Sequence, residues 1–195
     1  MITHHTQLLQ YLIDKHQLKS YGEIGVQDCN NNFHKINCDH KIGIDPGPIN
    51  ADHRIAIGTS DEYFKTLAIP NIDIWFIDGL HHADQVKRDF ENSLRCLNEG
   101  GYIVLHDTLP ENEEGTRVPR ETKMWWGDVY KFAMQLGIYK GIQFVTINID
   151  NGCTVVWKAK EEYESLSEVC NWENYLRYRT QVLRIIEPAE IEKYL

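Results

Sequence analysis

The chain has 195 residues, enough for one domain with a real core and too few for two large ones. Its hydrophobic share of 42% and charged share of 25% are those of an ordinary globular protein, which argues against long disorder. Acidic side chains outnumber basic ones 29 to 20 for a net charge of −9, and with no local basic cluster such a surface repels phosphate backbones, so nucleic acid is a poor partner.

Short apolar runs alternate with amphipathic stretches, the pattern of a parallel sheet with crossover helices. Leu8, Leu9, Leu12 and Ile13 mark a helix over 6–18, and Ser20 to Val26 reads as a strand. A polar loop, 27–32, leads to a short helix expected near Phe33. Strands follow at Lys41 to Asp45, ended by Pro46-Gly47-Pro48, and at His53 to Ile57; a helix is expected over 60–68. Ile72 to Asp78 reads as a buried strand, and Val86, Phe90, Leu94 and Leu97 share one face of a helix over 83–98. Gly100-Gly101 turns the chain into a strand from Tyr102 to His106. A polar loop, 108–122, precedes a helix at about 126–136 and a strand at 142–148. Asp150-Asn151-Gly152 is a hairpin turn into a partner strand at 153–158, and 160–195 looks helical. Residues 1–158 are read as one domain and 159–195 as a helical extension packed on it. No apolar run reaches membrane-spanning length, and the first ten residues show no leader pattern. Five widely spaced cysteines without a C-x-x-C pair read as reduced thiols. The expected location is therefore cytoplasmic.

In open α/β sheets ligands bind beyond the carboxyl ends of the strands, where strand order reverses. The polar residues that end strands are Gly25, Asp45, Asp78 and the pair His106-Asp107. A glycine after the first strand lets backbone approach a ligand, although an ordinary turn would use one too. Gly25 is followed by Val26-Gln27-Asp28-Cys29, so the G-x-G-x-x-G pyrophosphate fingerprint is absent, and a nicotinamide dehydrogenase ranks last. Asp45 can accept both hydroxyl protons of a ribose or simply form the turn before Pro46. Thr59 and Ser60 lie near a ligand or cap the next helix. Asp78 and Asp107 both end apolar strands beside His81, His82 and His106. On neighbouring strands they face one crevice and need a cation, a shared proton or hydrogen-bond donors. Oxygen-rich ligation favours magnesium or another divalent cation, while histidine admits softer metals.

Taken in order, Glu23-Ile-Gly-Val26, Ile42-Gly-Ile-Asp-Pro46, Phe76-Ile-Asp-Gly-Leu-His-His82 and Gly100-Gly-Tyr-Ile-Val-Leu-His-Asp107 resemble the class I S-adenosylmethionine-dependent methyltransferases, in the branch of catechol O-methyltransferase and the metal-dependent sugar O-methyltransferases. Trp126-Gly127-Asp128-Val129-Tyr130-Lys131 is similar to a W-x-G-D-V-W-K signature of bacterial members linked to glycan or nucleotide-sugar gene clusters. The resemblance covers about residues 20–158.

It implies a Rossmann-like fold: a seven-stranded, mostly parallel sheet with an antiparallel strand near one edge and helices on both faces. It implies that Glu23 and Gly25 flank the methionine part of S-adenosyl-L-methionine, that Asp45 holds the ribose, and that Thr59 or Ser60 lies near the adenine. Asp78 belongs to the same cofactor site. Asp78, His106 and Asp107 are the candidate ligands of Mg2+ or another divalent cation. His81 is the expected general base, with His82 its rival. The expected acceptor is a small hydroxylated molecule such as a sugar or nucleotide-sugar, with no nucleic acid or membrane partner and a homo-oligomer left open. Of the two adjacent tryptophans, Trp125 is expected near the acceptor and Trp126 in the core. Cys29 stands where a later glycine is usual, and this departure motivates a second reading: a non-catalytic ligand-binding or scaffold protein that keeps the fold.

Overall fold

A computed structural model describes residues 2–66, 69–160 and 170–195. The chain opens with helix α1 (His5–His16), then strands β1 (Ser20–Ile24), β2 (His40–Asp45) and β3 (Ile55–Ile57), and a one-turn helix α2 (Ser60–Tyr63). Strand β4 (Ile72–Ile77), helix α3 (Ala83–Arg95) and strand β5 (Leu97–Leu105) follow. A short helix α4 (Val129–Ala133) leads to the hairpin β6 (Ile142–Ile147) and β7 (Cys153–Lys158). The chain closes with α5 (Trp172–Val182), β8 (Ile185–Ile186) and α6 (Ile191–Tyr194).

One sheet runs in the order β3-β2-β1-β4-β5-β7-β6-β8. β7 is antiparallel to both its neighbours, and the other pairings are parallel. This is the expected Rossmann-like sheet with one added edge strand, β8, drawn from the segment expected to be helical. Strand order reverses between β1 and β4, which pair through Tyr21↔Ile74 and Ile24↔Ile77. A crevice at the ends of β1, β2 and β4 is therefore built into the topology.

The period-two alternation of each strand separates two cores. Ile74, Phe76, Val104 and Val155 face the side covered by Leu8, Leu9 and Leu12 of α1. Trp75, Ile77, Ile103 and Val156 face Val86 and Phe90 of α3 and Phe132 of α4. Tyr130, Met134, Tyr175 and Leu183 join α4 to α5 in a third cluster. Gly22 is a packing requirement, since a Cβ there would lie 2.4 Å from the Trp75 ring.

Several boundaries differ from expectation. Near Phe33 there is a run of turns, closed by bonds such as His34 N–H to the Cys29 carbonyl, with no helix. The helix expected over 60–68 ends at Tyr63, and 67–68 lie outside the described residues, as do 161–169 of the tail. β5 begins at Leu97, ahead of the two glycines, because Ile72↔Leu97 pairs before a register shift. The helix expected at 126–136 starts two residues after Gly127, which has φ +61°, and gives way to a 3₁₀ turn at Leu136–Ile138. Among the described residues no helix is long and apolar enough to cross a membrane.

Candidate active site

A cavity of about 660 Å³ opens at the carboxyl ends of β1, β2 and β4, within the size range of small-molecule sites. Glu23, Gly25, Asp45, Thr59, Ser60 and Asp78, the six expected cofactor contacts, all line it, and His81 lines it too. His82, His106 and Asp107 do not belong to its wall.

Gly25 (φ +86°) is needed for a reason beyond ligand approach. A Cβ there would lie 2.2 Å from the Asp78 carbonyl oxygen and 2.4 Å from Gly79 Cα. The ends of β1 and β4 are thus pressed backbone to backbone, with Asp78 N–H donating to the Ile24 carbonyl. The Asp45 carboxylate lines the cavity and accepts from Gln27 N–H at 2.9 Å and Gly47 N–H at 2.7 Å. Turn-forming and wall-forming roles coexist there. Thr59 caps α2 in a capping box with Glu62, and the Ser60 hydroxyl donates to buried Asp89 at 2.6 Å. Glu23 is 1% exposed and accepts from Tyr21 Oη and, at 3.0 Å, from Asn32 Nδ2. Burial outweighs these donors and pushes its carboxyl up to about 7.

Asp78 and Asp107 do end neighbouring strands, and His81 lies between them. His81 Nε2 is 3.1 Å from Asp78 Oδ1, and Nδ1 is 3.3 Å from Asp107 Oδ2. His106 Nδ1 lies 3.2 Å from Asp78 Oδ1 and 3.4 Å from Asp107 Oδ1. Burial alone would raise Asp78, but the charges and hydrogen bonds of His106 and His81 hold it well below the usual carboxylate range. Asp107 goes the other way, to about 6, because burial and the Asp78 charge outweigh both histidines. Burial works against the imidazolium of His81, and the two carboxylates overcome it and raise its pKa.

The donor set fits a divalent cation on a local observation. Donor atoms of Asp78, His81 and Asp107 lie within 4.8 Å of one another, and His81 Nδ1 and Asp107 Oδ1 are buried without a hydrogen-bond partner. A second cluster adjoins this one. Asp150 Oδ2 accepts from His5 N–H at 3.0 Å and lies 2.5 Å from His5 Nδ1, 3.5 Å from His4 Nε2 and 3.6 Å from His106 Nε2.

His82 stands at the N-cap of α3 but makes no side-chain cap bond. The cap comes from a distance: Asp128 Oδ1 accepts Ala83 N–H at 2.7 Å, and Asp128 N–H donates to the His81 carbonyl at 3.2 Å. Gly115, in a 3₁₀ turn of the long loop, accepts from both Trp126 and Gly127 N–H, and a Cβ there would lie 2.3 Å from the Trp126 ring. Trp126 is core at 2% exposure, whereas Trp125 lines the cavity and stacks on His81 with centroids 5.3 Å apart. His5, Asn32, Asp89 and Arg120 of the cavity wall, and Asp128 beside the His81 turn, escape a reading by strand ends; Asp128 carried a signal in its W-x-G-D context and Arg120 in its place in the long polar loop.

A family model described as a methyltransferase domain matches residues 10–108, and the chain belongs to that family. It is a class I S-adenosylmethionine-dependent methyltransferase. Among solved structures, one from Staphylococcus aureus described as a caffeoyl-CoA O-methyltransferase is 20% identical, with 80% of this chain and 83% of that chain covered at TM-score 0.61. The O-methyltransferase TomG of Streptomyces achromogenes, solved with S-adenosylmethionine, is 13% identical over 80% and 79% of the two chains at TM-score 0.58. An O-methyltransferase from Bacillus cereus, solved with S-adenosylhomocysteine, is 13% identical over 79% and 80% at TM-score 0.55. At these identities the likeness establishes the fold.

Proposed function

We propose that the enzyme methylates a hydroxyl oxygen of a small acceptor, such as a sugar or nucleotide-sugar, at the His81 end of the cavity. One observation carries this reading: His81, bracketed by Asp78 and Asp107, opens into the same cavity as Gly25 and Asp45. The cofactor would lie along Glu23, Gly25 and Asp45, with its adenine toward Thr59 and Ser60. It supplies a methyl group already activated on a sulfonium, so the protein has to align the acceptor oxygen and remove its proton. Asp78, held ionised, pairs with His81 Nε2 and sets the ring, and His81 would take that proton as the carbon–oxygen bond forms and the carbon–sulfur bond breaks. His82, outside the cavity wall, is the weaker candidate. A divalent cation held by Asp78, Asp107 and one of His81 or His106 would lower the acceptor's pKa.

Calorimetry with S-adenosylmethionine and S-adenosylhomocysteine tests the cofactor assignment, and failure to bind either would refute it. Label transfer to sugar, nucleotide-sugar and catechol acceptors tests the reaction. The cation is tested by melting temperature: Mg2+ or Mn2+ should raise it in the parent and not in Asp107→Ala. Indifference of the parent to both ions and to chelator would make the acids structural.

A further inference from the structure

The cavity wall is acidic, with Glu23, Asp45, Asp61, Asp78 and Asp89, and Arg120 is its one lysine or arginine among the described residues. Arg120 sits in the long loop ahead of Trp125 and has no ion-pair partner among the described carboxylates. Its Nε donates to the Thr122 carbonyl at 3.0 Å and its Nη2 to the Lys123 carbonyl at 2.5 Å. These two bonds aim the guanidinium and leave its Nη1 donors unused. Neighbouring Arg117, by contrast, does not line the cavity and is paired with Glu121 at 3.0 Å. In a chain of net charge −9, a cation spared from its many carboxylates marks a place where negative charge is wanted.

The position of that charge is specific. The Arg120 guanidinium stands 5.7 Å from the centroid of the Trp125 ring, and that ring stacks on His81 at 5.3 Å with 20° between planes. Trp125 is itself held, because its Nε1–H donates to the Arg117 carbonyl at 2.7 Å. A single indole therefore separates the lone cation from the candidate base. We infer that the acceptor carries an anionic group, a phosphate or a carboxylate, which Arg120 binds while its hydroxyl lies against His81. A guanidinium with free donors matches either anion through paired N–H···O bonds. The guanidinium also offsets the repulsion that the acidic wall imposes on a negatively charged acceptor. This inference rests on the methyl-transfer reading and adds the charge of the substrate to it.

The test uses the enzyme loaded with S-adenosylhomocysteine and two matched pairs of probes followed by calorimetry. Uridine diphosphate is compared with uridine, and 3,4-dihydroxybenzoate with 3,4-dihydroxybenzyl alcohol. In at least one pair the charged member should bind at least about tenfold more tightly, the pair identifying phosphate or carboxylate. Arg120→Gln should erase that preference with affinity for S-adenosylhomocysteine unchanged, Arg120→Lys should keep part of it, and Arg117→Gln all of it. Equal binding of charged and neutral members in both pairs, including no binding by either, overturns the proposal, as does a preference that survives Arg120→Gln. Loss of S-adenosylhomocysteine binding by the parent would instead strike the methyltransferase assignment of the cavity, so the two failures are told apart.

Discussion

A Cβ on Gly127 would lie 1.8 Å from the carbonyl oxygen of His81, so the start of the α4 segment and the turn that carries the candidate base are locked backbone to backbone. Gly127 also has φ +61°, a conformation that costs any other residue. Gly127→Ala should therefore lower stability by about 1–3 kcal/mol and shift the His81 turn, cutting turnover while S-adenosylhomocysteine still binds. Urea melts and calorimetry on the same variant check both halves; a variant with parent stability and turnover would show that the clasp is not rigid.

Removal of the base is the sharper chemical test. His81→Ala should slow turnover about 10²–10⁴-fold with cofactor affinity nearly intact, the usual range for a lost general base. His82→Ala should be mild, since His82 lies outside the cavity wall. The reverse ranking in single-turnover assays would move the proton to His82, and two mild effects would leave deprotonation to the cation site or to water.

Asp45→Ala should weaken cofactor binding by about 1.5–3 kcal/mol, as expected for a hydrogen bond to a charged group. Because the same carboxylate holds Gln27 and Gly47, part of that loss is expected to come from loosened loops. Asp45→Asn, which keeps one acceptor oxygen, should separate the contributions. Equal affinity for S-adenosylhomocysteine in all three proteins would place the ribose elsewhere.

Glu23 predicts a pH dependence of stability. Its folded pKa of about 7 lies above the ordinary 4.5, so the native state holds this proton more tightly than the unfolded chain does. The resulting stabilisation is complete below about pH 4.5 and is lost as pH rises through about 7, a difference of about 3 kcal/mol. Glu23→Gln, which stays neutral, should lack this fall. Urea denaturation of both proteins at about pH 5 and about pH 8 measures it, and parallel losses in the two would locate the effect in other groups.

Most of the sheet was legible because its strands are apolar runs buried on both faces, as in Ile72 to Ile77 and Ile142 to Ile147. β8 was not, since two residues carry no period; Thr146↔Ile185 pairing creates that strand. Asp45 and Asp78 were legible by the same logic, because a polar residue closing a buried strand can point into the crevice, whereas Asp107 lies against His81 outside the cavity wall. Asp150 and His5 were not, since Asp150 reads locally as a turn residue and His5 as the first turn of a helix. Thr59 shows the opposite case: its local capping signal described the actual hydrogen bonds, while its place on the cavity wall came from the topology.

The order of strands also governs when the enzyme can acquire its site during folding. Among the described residues, the hairpin β6–β7 is the sheet's one pairing of strands joined by a short turn. β1, by contrast, must find β4 through Tyr21↔Ile74, and β5 must find β7 through Tyr102↔Trp157. Closing such loops comes before the contacts that reward it, so long-range pairings of this kind form slowly. The hairpin contributes nothing to the wall of the cavity, which stands on β1, β2 and β4. Cofactor affinity is therefore a late arrival on the folding path, and S-adenosylhomocysteine added during refolding should slow unfolding far more than it speeds folding.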